Sequence, residues 1–222
     1  MLRAIVSCFL LFALAGCQLL PGRDAPDRPA TPASGNTIPA SREARQCLAE
    51  LGATGAGFTP LPDRYAGQGC SLLNTVNLTR LPGDAGSFSV SNLGPVTCPT
   101  AEAFTAWVRY GVDRAARVYL NSPIVQVETM GSYACRNVAG SSRRSAHASA
   151  DAIDVAAFHL ADGRRVSVLD DWDDGTSAER EFLRVVQRSA CKRFRTVLGP
   201  EYNAAHRNHF HVERGGDGGF CR

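Results

Sequence analysis

Apolar residues in this chain recur with two different periods, and the periods sort it into helices and strands. Phe104, Trp107, Val108, Val112, Ala115, Ala116 and Tyr119 fall at helical spacing and predict a helix from about Pro99 to Leu120. Phe182, Val185, Val186 and Ala190 share one face of another, which opens on the capping-box pattern Thr176-Ser-Ala-Glu179 and runs to about Arg193. A shorter helix starts after Ser41, a good cap, and reaches Leu51, with Gly52 as its stop. Residues 124–128, 152–158, 165–169 and 208–213 read as strands, and Asp162-Gly163 between the second and third signals a tight hairpin. The expected class is α+β, a small, mostly antiparallel sheet packed against helices.

The first forty residues break this pattern. One positive charge at Arg3 precedes the almost wholly apolar stretch 4–14, which is too short to span a bilayer and has the build of an export signal. It ends in Leu14-Ala15-Gly16-Cys17, small residues before a cysteine, which resembles the bacterial lipobox; that resemblance implies lipid attachment at Cys17. Gln18 stands where an aspartate would resemble an inner-membrane retention signal, so the outer membrane, facing the periplasm, is the expected address. Residues 18–40 hold Pro21, Pro26, Pro29, Pro32 and Pro39 without apolar periodicity and read as an extended tether. The chain thus divides into a signal (1–16), a lipidated tether (17–40) and one domain (41–222).

Composition narrows the function classes. With 44% hydrophobic and 20% charged residues the domain can bury a core, which excludes a wholly disordered chain. The formal net charge is +3 and the basic residues are scattered, so no nucleic-acid partner is expected. Apart from Cys8 and Cys17, six cysteines remain: Cys47, Cys70, Cys98, Cys135, Cys191 and Cys221. An even number in an exported chain predicts a disulfide-stapled domain with three bridges, whose pairing the sequence leaves open. A Cys191–Cys221 bridge would tie the last helix to a glycine-rich tail. No C-x-x-C occurs, which removes the usual cysteine zinc and thioredoxin patterns.

Histidines carry the chemistry. Four of the five lie in two clusters, His147 near Asp154 and then His206, His209 and His211, while His159 reads as an ordinary surface or core histidine. In a strand, His209 and His211 project to one face while Phe210 turns to the other. Asp154 sits among Ile153, Val155 and Ala156, and a carboxylate on a buried strand needs a cationic partner. His147, Asp154 and His211 are therefore candidate ligands of one zinc ion: two histidines and an acid with a free fourth position are a catalytic rather than a structural donor set.

Ser145-Ala-His147-Ala-Ser-Ala150-Asp-Ala-Ile-Asp154 resembles the S-x-H-x-x-G-x-A-x-D motif of the D-alanyl-D-alanine carboxypeptidase and hedgehog-type zinc peptidases, and His209-Phe-His211 resembles their H-x-H. More extensively, Cys47 to the end resembles the bacterial extensin-like C-terminal domain family, through Gly131-Ser-Tyr-Ala-Cys-Arg136, Asp162-Gly-Arg-Arg-Val-Ser-Val-Leu169 and Leu198-Gly-Pro-Glu-Tyr-Asn-Ala-Ala-His206.

These resemblances imply a hedgehog/D-Ala-D-Ala peptidase-like fold and a zinc-dependent hydrolase of peptidoglycan peptides, with a metal-activated water as nucleophile. They also imply that Ser145 and Arg136 orient the substrate. Ala150 departs from the motif's glycine, and Asn208 stands where related peptidases often place an acidic base, which leaves His206 as the expected base and His209 as a supporting or transition-state donor. Asn208 also motivates an alternative, a metal-containing wall-binding or scaffold lipoprotein without turnover. A metal carrier would need a second ligand cluster or a histidine-rich loop, and the sequence has neither.

Overall fold

A computed structural model of the chain describes residues 40–215 and 219–222. The export signal, Cys17 and the tether up to Pro39 lie outside the described residues. Helix α1 (Arg42–Ala53) starts as expected, with Ser41 Oγ accepting from the Ala44 amide at 3.1 Å. It passes Gly52; the stop comes from Thr54, whose hydroxyl donates to the Leu51 carbonyl, and from Gly55 in the left-handed region.

The long helix expected over 99–120 is divided. Helix α2 (Cys98–Trp107) runs into a π-helical stretch, Val108–Asp113, and continues as α3 (Arg114–Tyr119). Gly111 in this stretch presses against a neighbouring helix, where a Cβ would stand 2.5 Å from Ser189 Oγ. Asp113 turns fully inward, accepting from Arg117 and from the Ile124 amide. The strand expected over 165–169 ends at Ser167, whose Oγ caps the one-turn helix α4 (Val168–Asp171) by accepting from the Asp170 amide at 2.9 Å. Helix α5 (Ser177–Ala190) carries the full capping box between Thr176 and Glu179.

The strands are β1 (Gly57–Pro60), β2 (Arg64–Gly67), β3 (Cys70–Leu72), β4 (Thr75–Pro82), β5 (Ser87–Ser91), β6 (Pro95–Thr97), β7 (Ile124–Gly131), β8 (Ala152–Leu160), β9 (Arg165–Ser167), β10 (Thr196–Leu198), β11 (Phe210–Glu213) and β12 (Phe220–Cys221). Among the described residues ten of them form one sheet in the order β1-β4-β5-β7-β8-β11-β10-β12, with β6 on β4 and β9 on β8; β2 and β3 form a separate hairpin. Only β5/β7 and β10/β12 are parallel. The mostly antiparallel α+β arrangement is as expected, and the sheet is extended by strands within 57–97 that the sequence reading did not include. The Asp162-Gly163 turn joins β8 to β9.

Side chains of α2 and α5 fill one face of the sheet. Trp107, Phe104, Phe158, Phe182 and Phe210 are fully buried, with Trp107 and Phe182 both edge-on to Phe158. Alternation along two neighbouring strands then decides what the other face carries. Phe210 pairs with Val155 and Val212 with Ile153, all four in the core; between them His211 pairs with Asp154 on the opposite face.

Three disulfides staple the domain: Cys47–Cys98 joins α1 to α2, Cys70–Cys135 joins β3 to the segment after β7, and Cys191–Cys221 ties the end of α5 to the tail, as the sequence suggested. Cys47–Cys98 closes 51 residues of chain. The entropy it removes from the unfolded state is worth about 4 kcal/mol, and the double variant Cys47→Ala/Cys98→Ala is expected to lose about that much stability in equilibrium denaturant unfolding.

Candidate metal centre

Three separate elements deliver the candidate ligands. His147 sits in a single 3-10 turn, Ala146–Ser149, between β7 and β8. Ser145 Oγ caps this turn by accepting from the His147 amide at 3.3 Å. The turn ends at Ala150, fully buried with φ 57° and ψ 28°. A glycine holds that left-handed conformation without penalty, whereas a Cβ costs about 1–2 kcal/mol, which explains the glycine of the motif and shows that alanine still makes the turn. Asp154 comes from β8 and His211 from β11, directly opposite in register.

The donor atoms converge. His147 Nε2 lies 3.2 Å from His211 Nδ1 and 3.2 Å from Asp154 Oδ2, and His211 Nδ1 lies 2.9 Å from Asp154 Oδ1. One ligand atom from each residue falls within 4.8 Å of the others. A tetrahedral zinc with bonds of about 2.0–2.1 Å spaces its ligands about 3.3 Å apart, so these residues fit the ion in both chemistry and spacing. The outward nitrogens are engaged as well: His147 Nδ1 lies 3.0 Å from the Ser132 carbonyl, and His211 Nε2 lies 3.3 Å from Glu213 Oε2. With a cation bound, both acceptors would keep each ring proton on the outward nitrogen and leave the inward nitrogens to bind.

Charge is concentrated here. Burial alone would raise the Asp154 carboxyl, but hydrogen bonds from His147 and His211 outweigh it and hold the group well below the usual carboxylate range. Burial would likewise lower His211, yet the hydrogen bonds to Asp154 and Glu213 prevail and the ring is pushed up to about 9. Burial, reinforced by His209 and His211, lowers His206 to about 4. His209 is lowered too, since burial outweighs the attraction of Asp154.

The remaining sequence candidates divide by location. His206 lies in a second 3-10 turn, Ala204–His206, half-buried, its ring centroid 5.1 Å from that of His209 and 5.9 Å from that of His211. Its Nδ1 is 2.7 Å from Asn203 Oδ1, an acceptor, so Nδ1 carries the proton and Nε2 keeps a lone pair. His209 is buried with Nε2 3.5 Å from Asp154 Oδ1. Asn208 is no base; its Oδ1 accepts from His209 Nδ1 at 2.8 Å. Asn208 thus fixes the ring of His209 with Nε2 turned toward Asp154.

Ser145 is 8% exposed, and its hydroxyl accepts from the His147 amide and so steadies the turn that carries His147. Arg136 is exposed, forms no ion pair among the described residues, and lies close enough for its charge to depress both His206 and His209. His159 stands apart, paired with Glu128 at 2.9 Å.

Two contributors escaped the sequence reading. Glu213 was legible in principle, two residues beyond His211 on the same strand face. Ser132 was not, because it acts through its main-chain carbonyl; its hydroxyl, fully buried, bonds the carbonyls of Leu93 and Pro95 and so fixes the segment.

No curated protein and no solved structure matches the chain. A family model described as Extensin-like protein C-terminus matches residues 45–222, which takes in every disulfide cysteine and every residue of the centre just described. The chain therefore belongs to the extensin-like C-terminal family.

Proposed function

We propose that the domain is a zinc-dependent peptidase that hydrolyses peptide bonds of bacterial peptidoglycan. The observation that carries this reading is the convergence of His147 Nε2, an Asp154 carboxylate oxygen and His211 Nδ1, with both outward ring nitrogens already taken. Three protein ligands of this kind leave a coordination position free, which a structural site does not. Similarity of 145–154 and 209–211 to the motifs of D-alanyl-D-alanine carboxypeptidases and hedgehog-type zinc peptidases points the same way.

When bound, zinc supplies Lewis acidity that brings the pKa of water to about 7 and polarises the scissile carbonyl. The chain's own groups handle positioning and protons. His206, neutral and with Nε2 unprotonated, accepts the proton of the attacking water and returns it to the leaving amine. Its partial exposure lets it exchange that proton with solvent, which the buried His209 cannot do as readily. His209, its ring fixed by Asn208, stands beside Asp154 as a supporting or transition-state donor. Arg136 pairs with a carboxylate of the peptide. On the same proposal the domain works in the periplasm, anchored through a lipid on Cys17 to the outer membrane. Among the described residues no helix is long and apolar enough to cross a membrane.

Incubating purified muropeptides with the zinc-loaded protein tests the proposal. Mass analysis is expected to show cleaved peptides that vanish with a chelator and return with zinc; intact muropeptides with the metal bound would favour the scaffold reading, which Asn208 motivates. A pH dependence follows from His211. Its proton, held up to about 9, must leave before Nδ1 can bind a cation, so protonation competes with zinc at every pH below that value. Zinc affinity is therefore expected to rise about tenfold per pH unit between pH 6 and 8, measured by competition with a chelator.

A further inference from the structure

Glu213 ends β11 with its side chain on the same face as His211, and the register across the sheet sets it opposite Ala152, a side chain too short to reach or cover it. Its carboxylate Oε2 meets His211 Nε2 at 3.3 Å, and the side chain is only 20% exposed. His147 is oriented by an uncharged main-chain carbonyl; His211 is oriented by a full negative charge. Asp154 and Glu213 together bring two negative charges to the donor cluster; of the other side chains near it, His206 and His209 are imidazoles, and the exposed Arg136 is a cation whose charge reaches those two rings.

Building on the proposed zinc centre, we infer that Glu213 is a positioning residue that fixes Nε2 of His211 as the protonated nitrogen, presents Nδ1 to the metal and balances the charge of a divalent cation. The hydrogen bond polarises the ring and makes Nδ1 a stronger donor, while its direction fixes the ring plane. The domain provides its own comparison. Glu128 also accepts from a histidine, His159 Nε2 at 2.9 Å, but that pair stands away from the candidate ligands and is shared with Arg165.

Zinc and cobalt titrations of the full chain, in competition with a chromophoric chelator, test the inference. Glu213→Ala is expected to weaken zinc binding about 10–100-fold and to shift the visible bands of the cobalt form. Glu213→Gln keeps an acceptor oxygen without the charge, and its affinity is expected to fall between Glu213→Ala and the native protein. Glu128→Ala is expected to match native. Native-like affinity, within about twofold, and an unchanged cobalt spectrum in Glu213→Ala would overturn the role of Glu213 while leaving the metal centre standing. Failure of the native chain to bind either ion would overturn both. Should Glu213→Ala lose its native circular dichroism, Glu213→Gln carries the test, and native affinity in that variant overturns the charge-balancing role.

Discussion

Asp154→Ala is expected to lose zinc binding and hydrolysis together. Binding free energies of about 10–16 kcal/mol for tightly held zinc, shared among three protein ligands, assign each about 4 kcal/mol, or about a thousandfold in affinity. Asp154 contributes more than a ligand atom, because it lies within 3.2 Å of both His147 Nε2 and His211 Nδ1 and is 3.5 Å from His209 Nε2. Without it these imidazoles face one another with no anion between them. Asp154→Asn separates the two contributions, since it keeps an oxygen in place but not the charge. Competitive zinc titration of both variants, with thermal unfolding of the metal-free proteins, measures the effect; unaltered affinity in Asp154→Ala would mean that the cation is held elsewhere.

His206→Ala is expected to behave differently, lowering kcat by about 10²–10⁴ while zinc affinity stays within about threefold. The ring centroid lies 5.9 Å from that of the ligand His211 and 5.1 Å from that of His209, and its own Nδ1 is anchored on Asn203. It is close enough to serve the reaction and outside the donor triad. Single-turnover digestion of muropeptides with the metal-loaded variant separates the two quantities. If kcat is unchanged, His209 becomes the base, because it is the other imidazole beside the candidate ligands.

The centre was legible in the sequence because its geometry is encoded locally. His209-Phe210-His211 alternates polar and apolar, and Phe210 and Val212 in the core leave His211 no other face. Asp154 between Ile153 and Val155 repeats that logic on the neighbouring strand. Thr176 with Glu179, Ser41, and Asp162-Gly163 each have a short-range mechanism that needs no tertiary information. Strands β2 and β6 lacked such a signal: Arg64–Gly67 is exposed throughout and Pro95–Thr97 spans three residues, so neither shows a usable alternation. Strands β4 and β5 did carry one, Val76 and Leu78 beside Asn77 and Thr79 and then Phe88 and Val90 between serines, and it went unread. The π-helical break was hidden because Val108 and Val112 keep the helical spacing across it. Pairings such as Cys70–Cys135, 65 residues apart, depend on where the chain returns, which local pattern does not record.

The most direct test of the whole account is a crystal structure of the zinc-loaded protein with anomalous data at the zinc edge. A single strong anomalous peak is expected, bounded by His147 Nε2, the Asp154 carboxylate and His211 Nδ1, with Glu213 still on His211 Nε2. A peak held by other residues, or none at saturating zinc, would contradict it.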